Sequence, residues 1–148
     1  MIEVYAYATP NSIKVPIALE ELGLDYALHS VNVKQGEQKQ ESFLALNPNA
    51  KVPVLVQTDT ATGDRLVLSE SAAILVYLAE RQGRLLPAAG NARARVLEHL
   101  FLHAPAVSPS PGIAGFLTML AAAPQPSAPQ RFPPQAHLPA THVDPPVG

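Results

Sequence analysis

The sixteen prolines of this chain divide it in two: four precede Pro87, and twelve fall from Pro87 onward. Proline fixes φ and has no N–H to donate, so it interrupts helices and sheets alike. From Pro105 to Gly148, 44 residues carry only two formal charges, Arg131 and Asp144. That stretch has too few periodic apolar positions to build a core of its own. Regular structure is therefore expected in a compact domain over 1–86 and in a helix over 91–104. A region helical in patches then gives way to a loosely ordered, proline-rich tail over 133–148.

Composition removes several classes of function. The chain has 148 residues, about one domain by the usual range of roughly 100–200. It has no cysteine, which excludes a disulfide framework, thiolate metal sites and a cysteine nucleophile of its own. A formal charge of −2 gives no attraction to nucleic acid or to an anionic membrane. No apolar run approaches the roughly 20 residues that span a bilayer. The N-terminus, from Met1 to Tyr5, lacks the basic and apolar segments of a signal peptide. The expectation is a soluble, cytoplasmic protein with no nucleic-acid or membrane partner.

The first domain reads as alternating elements. Ile2–Tyr7 is β-branched and aromatic, a strand, and Thr9-Pro10-Asn11-Ser12 is turn and cap chemistry. A helix follows with Ile13, Ile17, Leu19 and Leu22 apolar, and Gly23 stops it. Pro16 is tolerable if the first turn begins near Ile13. Tyr26–Val33 is a second strand. Glu41–Leu46 is a short helix ended by Asn47-Pro48. Val54–Val56 and Leu66–Leu68 are strands flanking the Asp59–Asp64 turn, which has no phosphate-binding pattern. Ser69 caps a helix from Glu70 to Gln82, stopped by Gly83. The order β-α-β-α-β-β-α combines a parallel portion with an antiparallel edge: an α/β, three-layer unit of thioredoxin-like type.

Three features converge on one kind of chemistry. In open α/β sheets ligands bind beyond the carboxyl ends of strands, often at helix N-termini. The Thr9–Ser12 loop offers small polar donors there, although the same residues also serve as a plain helix cap. Lys51-Val52-Pro53 stands just before a strand. If its X-Pro bond is cis, the Val52 backbone can pair with a peptide-like ligand as an added strand does; otherwise it is an ordinary strand start. Ser69-Glu70-Ser71 opens the last helix of the domain. Its N–H groups, its dipole and the Ser71 hydroxyl suit a carboxylate, and Glu70 suits an ammonium, so an α-amino acid zwitterion fits. A capped helix with an acidic first turn is the plain alternative.

Thr9-Pro10-Asn11, Ala18-Leu-Glu-Glu-Leu-Gly, Asn47-Pro-Asn-Ala-Lys-Val-Pro-Val-Leu and Leu68-Ser-Glu-Ser-Ala-Ala-Ile-Leu-Val-Tyr-Leu-Ala together resemble a glutathione transferase N-terminal domain over residues 1–87. The Thr-Pro-Asn loop and Gly36-Glu37-Gln38 are most similar to the bacterial Nu class, some members of which are glutathione-dependent disulfide reductases. The resemblance implies that Val52, with Pro53 in cis, pairs with the cysteinyl part of glutathione. It implies that Glu70 and Ser71 hold the γ-glutamyl end, that Gln38 and Lys51 reach the glycyl carboxylate, and that Thr9 and Asn11 face the sulfur as the catalytic pair. Glutathione would then supply the thiol that the chain lacks, for attack on a small electrophile or a disulfide. Tyr5 and Tyr7 are the alternative thiol activators, since some classes of the family use a tyrosine near the end of the first strand. Alternation puts both on one strand face, where packing is the expected role.

Past Pro87 the resemblance continues more weakly. Arg93–His103 is similar to the first helix of the family's C-terminal helical domain, giving a partial domain over 87–132. Ser108–Gly112 and Gly115-Phe116 echo the loop and helix that follow. Arg131 falls where Nu-class relatives place an arginine on glutathione. The tail from Pro133 matches nothing in the family, whose helical domain normally contributes to the electrophile pocket and to a homodimer interface. The competing expectation is accordingly a glutathione-binding but catalytically poor interaction module, with the apolar face of the Ala92 helix as its partner surface. His99 and His103 stand four apart on that helix but lack a third metal ligand.

Overall fold

The computed structural model of the chain describes residues 1–102. Arg131, His103, the helical patches expected over 105–132 and the tail over 133–148 lie outside those residues. The elements are β1 (Ile2–Ala6), α1 (Lys14–Leu22), β2 (Ala27–Ser30), a 3-10 turn (Glu37–Lys39), α2 (Glu41–Leu44), β3 (Val54–Thr58), β4 (Arg65–Ser69), α3 (Ser71–Gln82) and α4 (Gly90–Leu102). The four strands form one sheet in the order β2-β1-β3-β4. β1 pairs parallel with β2 and antiparallel with β3, and β3 pairs antiparallel with β4. The parallel portion and antiparallel edge expected from the sequence are both present.

Side-chain alternation along the strands sorts the core into two layers. Val4, Ala6 and Leu55 meet Val15, Leu19 and Leu22 of α1 and Ile74 and Leu78 of α3 on one face. Val54 and Val56 meet Val31 and Phe43 on the other, with Tyr5 and Val67 packed against them. Helices cover both faces, but α2 is four residues long and covers its face through Phe43 alone among its buried residues.

Two details refine the sequence reading and two depart from it. Within α1 the buried residues are Val15, Ala18, Leu19 and Leu22, the i, i+3, i+4, i+7 stripe of an amphipathic helix. Ile13 and Ile17 lie off that stripe and are exposed. Pro16 sits in the first turn, where its missing N–H would have no helical acceptor. The second strand spans Ala27–Ser30 rather than Tyr26–Val33, because Asn32 folds the chain away. Asn32 Oδ1 accepts from Lys34 N and Gln35 N, and the Glu37 carboxylate accepts from Asn32 N. Finally, Ser69 is no cap. It is the last residue of β4, paired with Val54, and Glu70 alone makes the turn into α3 at φ 70°.

Gly23 closes α1 at φ 68°, donating to Glu20 O at 3.0 Å while Leu24 N donates to Leu19 O at 3.0 Å. That is the left-handed helix ending for which glycine carries no Cβ penalty. α4 is tied back by Arg93, which pairs with Glu80 and donates to Pro87 O at 3.2 Å.

The layered core separates two substitutions that look alike in sequence. Leu55→Ala, at a residue with no exposed surface, is expected to cost about 2–5 kcal/mol in urea unfolding. Ile17→Ala, on the exposed side of α1, is expected to stay within about 0.5 kcal/mol. Equal losses would mean that α1 is rotated from the orientation described.

Candidate functional site

Strand register brings three separate stretches of chain to one end of the sheet. Tyr5 of β1 lies opposite Val54 of β3, and Val54 lies opposite Ser69 of β4. The end of β1, the start of β3 and the end of β4 are therefore level. The Thr9–Ser12 loop leaves from the first, Val52-Pro53 leads into the second, and Glu70 with the N-terminus of α3 follows the third. Residues distant in sequence become neighbours along one edge, the carboxyl edge of β1 on which such sheets bind ligands.

The loop is held by its own side chains. Ser12, wholly buried, accepts a hydrogen bond at Oγ from the Thr9 hydroxyl at 3.0 Å, and its N–H donates to Thr9 Oγ1 at 3.2 Å. Lys14 Nζ donates to Asn11 Oδ1 at 2.8 Å. Thr9 and Asn11 are both half-buried. Burial lowers the pKa of the Lys14 ammonium from its ordinary value, because desolvation disfavours the charged form.

The Val52–Pro53 peptide is cis, and Pro53 is buried. Among the described residues, Val52 makes no backbone hydrogen bond to another backbone group. The loop before it is fixed by Asn47, a buried polar residue. Asn47 Nδ2 donates to Lys51 O at 2.8 Å, and its Oδ1 accepts from Asn49 N at 3.1 Å. Ala50 adopts φ 53° within this turn. The Lys51 side chain is exposed. In sequence, Asn47-Pro48 reads only as a helix stop. Nothing in the pattern announces that the asparagine side chain clamps the residue preceding Val52.

Glu70 combines φ 70° with ψ 114°, a region that costs a residue with a Cβ about 1–3 kcal/mol. Its side chain is exposed and does not cap α3, whereas Ser71 is buried at the first helical position. The helix therefore opens with its first N–H groups uncapped by a side chain, at the positive end of its dipole.

Gln38 stands on the 3-10 turn and is directed inward: Nε2 donates to Val33 O at 3.3 Å, and Oε1 is buried without a partner among the described residues. Tyr5 lies on the face covered by α2 and stacks on His29, with ring centroids 4.6 Å apart. Burial raises its pKa, and the Glu3 carboxylate adds to the shift. Tyr7 lies one residue past β1 and lines an apolar hollow of about 240 Å³ with Ile13, Pro16 and Leu28. His99 Nδ1 donates to Arg95 O at 2.7 Å. Among the described residues no helix is long and apolar enough to cross a membrane.

Residues 8–81, half of the chain, match the family model for the glutathione S-transferase N-terminal domain. The disulfide-bond oxidoreductase YfcG of Escherichia coli is 41% identical over 113 residues, covering 76% of this chain and 53% of its own. A glutathione transferase family member from Pseudomonas fluorescens, solved with two glutathione bound, superposes with a TM-score of 0.78 at 34% identity, covering 88% of this chain and 59% of that one. A glutathione transferase from Pseudomonas putida, solved with one glutathione disulfide bound per subunit, gives 0.77 at 34% identity, covering 88% and 58%. The chain thus spans about half the length of the curated relative from E. coli. Its thioredoxin-like sheet, its cis Val52–Pro53 bond and the match over residues 8–81 together place the chain in the glutathione S-transferase family.

Proposed function

We propose that the chain binds glutathione through residues 1–86 and activates its thiol, as a transferase or as a glutathione-dependent disulfide reductase. One observation carries the reading: a single sheet end gathers the Thr9–Ser12 loop, the Val52 backbone and the Glu70–Ser71 helix start. The relatives solved with glutathione or its disulfide bound support the same ligand.

The donor set suits a zwitterionic tripeptide. Val52 offers a backbone N–H and C=O to a peptide laid alongside, as an added strand would be held. The uncapped start of α3 and the Ser71 hydroxyl receive the γ-glutamyl carboxylate, and Glu70 takes its ammonium. Gln38 and Lys51 belong to the glycyl side of the same proposal, and Arg131 is a further contact to glutathione in it. Gln38 must turn its amide for this, since its Nε2 is engaged with Val33 O.

Bound glutathione supplies a thiol for substitution at an electrophilic carbon or for exchange with a disulfide. A thiol of pKa about 8.5 is only roughly 3% ionised at pH 7, and lowering that pKa by two units takes about 2.7 kcal/mol. One or two hydrogen bonds to the charged sulfur supply this. Asn11 and Thr9 are the donors, and the N-terminus of α1 adds its dipole. The Thr9 hydroxyl must rotate away from Ser12 Oγ to take part. A helical domain beginning at residue 87, a small electrophile or disulfide as second substrate, a cytoplasmic setting and a homodimer complete the proposal.

The direct test is retention on immobilised glutathione, followed by paired assays with a model aryl halide and a model disulfide. Activity in either assay is expected. Binding with neither activity would select a catalytically poor glutathione-binding module, and failure to bind would overturn the reading. Asn11→Ala is expected to lower turnover about 10–100-fold at saturating glutathione, the scale of one donor to a charged group; unchanged turnover removes Asn11 from the chemistry. Glu70→Gly is expected to raise stability by about 1 kcal/mol as the φ strain is relieved, with a melting point about 4–8 °C higher. The same change should weaken glutathione binding by at least about tenfold through loss of the ammonium's partner. Calorimetry on the free and ligand-bound protein reads both effects, and a lowered melting point would refute the strain.

A further inference from the structure

Ser12 has no part in the ligand set above, yet it is a polar side chain with no exposed surface. It stands three residues after Thr9 in the loop that leaves β1. Thr9 Oγ1 accepts from Ser12 N at 3.2 Å, and the two side-chain oxygens are 3.0 Å apart. A threonine oxygen that accepts an N–H three residues on holds a turn together by itself. The contact between the two hydroxyls is not needed for that turn. Among the described residues it is the one hydrogen bond that the Ser12 side chain makes.

Either proton can occupy such a contact, since each hydroxyl is both donor and acceptor. With the Thr9 proton in it, the Ser12 proton has no acceptor among the described residues, and a buried unpaired donor is costly. With the Ser12 proton in it, that buried donor is satisfied. Thr9 Oγ1 then accepts from both Ser12 N and Ser12 Oγ, which fills its two lone pairs. The Thr9 proton is the one group left over, on a side chain that is only half-buried. No heavy atom moves between the two arrangements. A hydroxyl that accepts hydrogen bonds is also the stronger donor, because bonds in a chain polarise one another.

We propose that Ser12 is a positioning residue for thiol activation: it fills the acceptor side of the Thr9 hydroxyl and so turns the Thr9 proton toward the sulfur of bound glutathione. The proposal rests on the glutathione reading, with Thr9 as a donor to the sulfur. Neither hydroxyl takes up a proton. The thiol loses its proton to water, and the Thr9 O–H holds the anion that remains. Ser12 acts on the sulfur only through Thr9, so it should affect ionisation of the thiol and leave recognition of the rest of the tripeptide alone.

The test is a double-mutant cycle on the full chain, with Ser12→Ala, Thr9→Val and the two combined. Two quantities are measured for each protein. One is the pKa of the bound glutathione thiol, from thiolate ultraviolet absorbance against pH; the other is the affinity for S-methylglutathione, which has no thiol to ionise. Ser12→Ala is expected to raise the bound-thiol pKa by about half a unit and to lower turnover about threefold, the same free energy read twice. Thr9→Val is expected to raise that pKa by about one unit, and adding Ser12→Ala to it should shift it by less than about 0.2 unit further. S-methylglutathione affinity should change less than about twofold throughout. A wild-type chain that lowers the thiol pKa, with Ser12→Ala leaving it unchanged, overturns the role of Ser12 alone. So does a rise from Ser12→Ala that persists once the Thr9 hydroxyl is gone. Loss of S-methylglutathione affinity in Ser12→Ala would overturn it too, by making the serine a structural support of the whole site. A wild-type chain that binds neither ligand, or that binds glutathione without lowering its thiol pKa, overturns the glutathione reading itself.

Discussion

Everything at the candidate site follows from the antiparallel pairing of β3 with both β1 and β4. Parallel pairing would send the start of β3 to the opposite end from the loop after β1. As built, Tyr5, Val54 and Ser69 stand level across three strands, and the chain segments beyond them form a short polar edge. The register is fixed from the core, since the side-chain period of a strand is two and a slip of one residue would turn Val4 and Leu55 out of the layer they share with α1 and α3. The apolar pattern of the strands thereby sets the position of the site, although none of its polar residues takes part in that pattern.

Two local arrangements then shape that edge. Asn47 spends both ends of its amide on the turn that delivers Val52-Pro53, so a buried polar side chain replaces hydrogen bonds that the turn's backbone cannot make for itself. Glu70 does the opposite. It keeps a backbone conformation that favours glycine, and the first turn of α3 is left uncapped by any side chain. A serine cap at Ser69 would have satisfied those N–H groups internally and removed them from ligand binding. The strained residue and the uncapped helix are one feature: the chain leaves β4 too abruptly to provide a cap, and an anion can take that place.

This also explains what the sequence could and could not disclose. The sequence pattern located the strands and helices of residues 1–86, with burial written directly into the Val, Leu and Ile of β1, α1, β3 and α3; β2, exposed along Ala27–Ser30, carries no such pattern. The pattern did not sort the faces of α1, where Ile13 and Ile17 are as apolar as their buried neighbours and only the register of Val15, Ala18, Leu19 and Leu22 separates them. It misjudged the entry to α3, where Ser-Glu-Ser satisfies the usual cap grammar and the positive φ at Glu70 leaves no compositional mark. The Thr-Pro-Asn, Val-Pro and Glu-Ser motifs were legible as motifs. Their assembly at one edge was legible only through topology. Lys14 and Asn47 were not, since each acts through a side-chain hydrogen bond three or four residues away that spacing alone does not single out.

The strand before the loop also explains why Tyr5 makes a poor rival to Asn11. Tyr5 faces the layer of Val54, Val56 and Phe43 and is stacked on His29. Burial and the Glu3 carboxylate raise its pKa, which makes its hydroxyl a weaker acid and a weaker donor to an anion. A phenol suits thiol activation when its pKa is brought down toward that of the thiol, and this strand moves it the other way. An amide does not titrate, so its strength as a donor must come from orientation and from a neighbouring charge. In the loop after β1, Lys14 Nζ donates to Asn11 Oδ1 at 2.8 Å. In a chain with no cysteine, the proposed reading would leave thiol ionisation to fixed hydrogen-bond donors and the α1 dipole, with no residue of the chain required to exchange a proton.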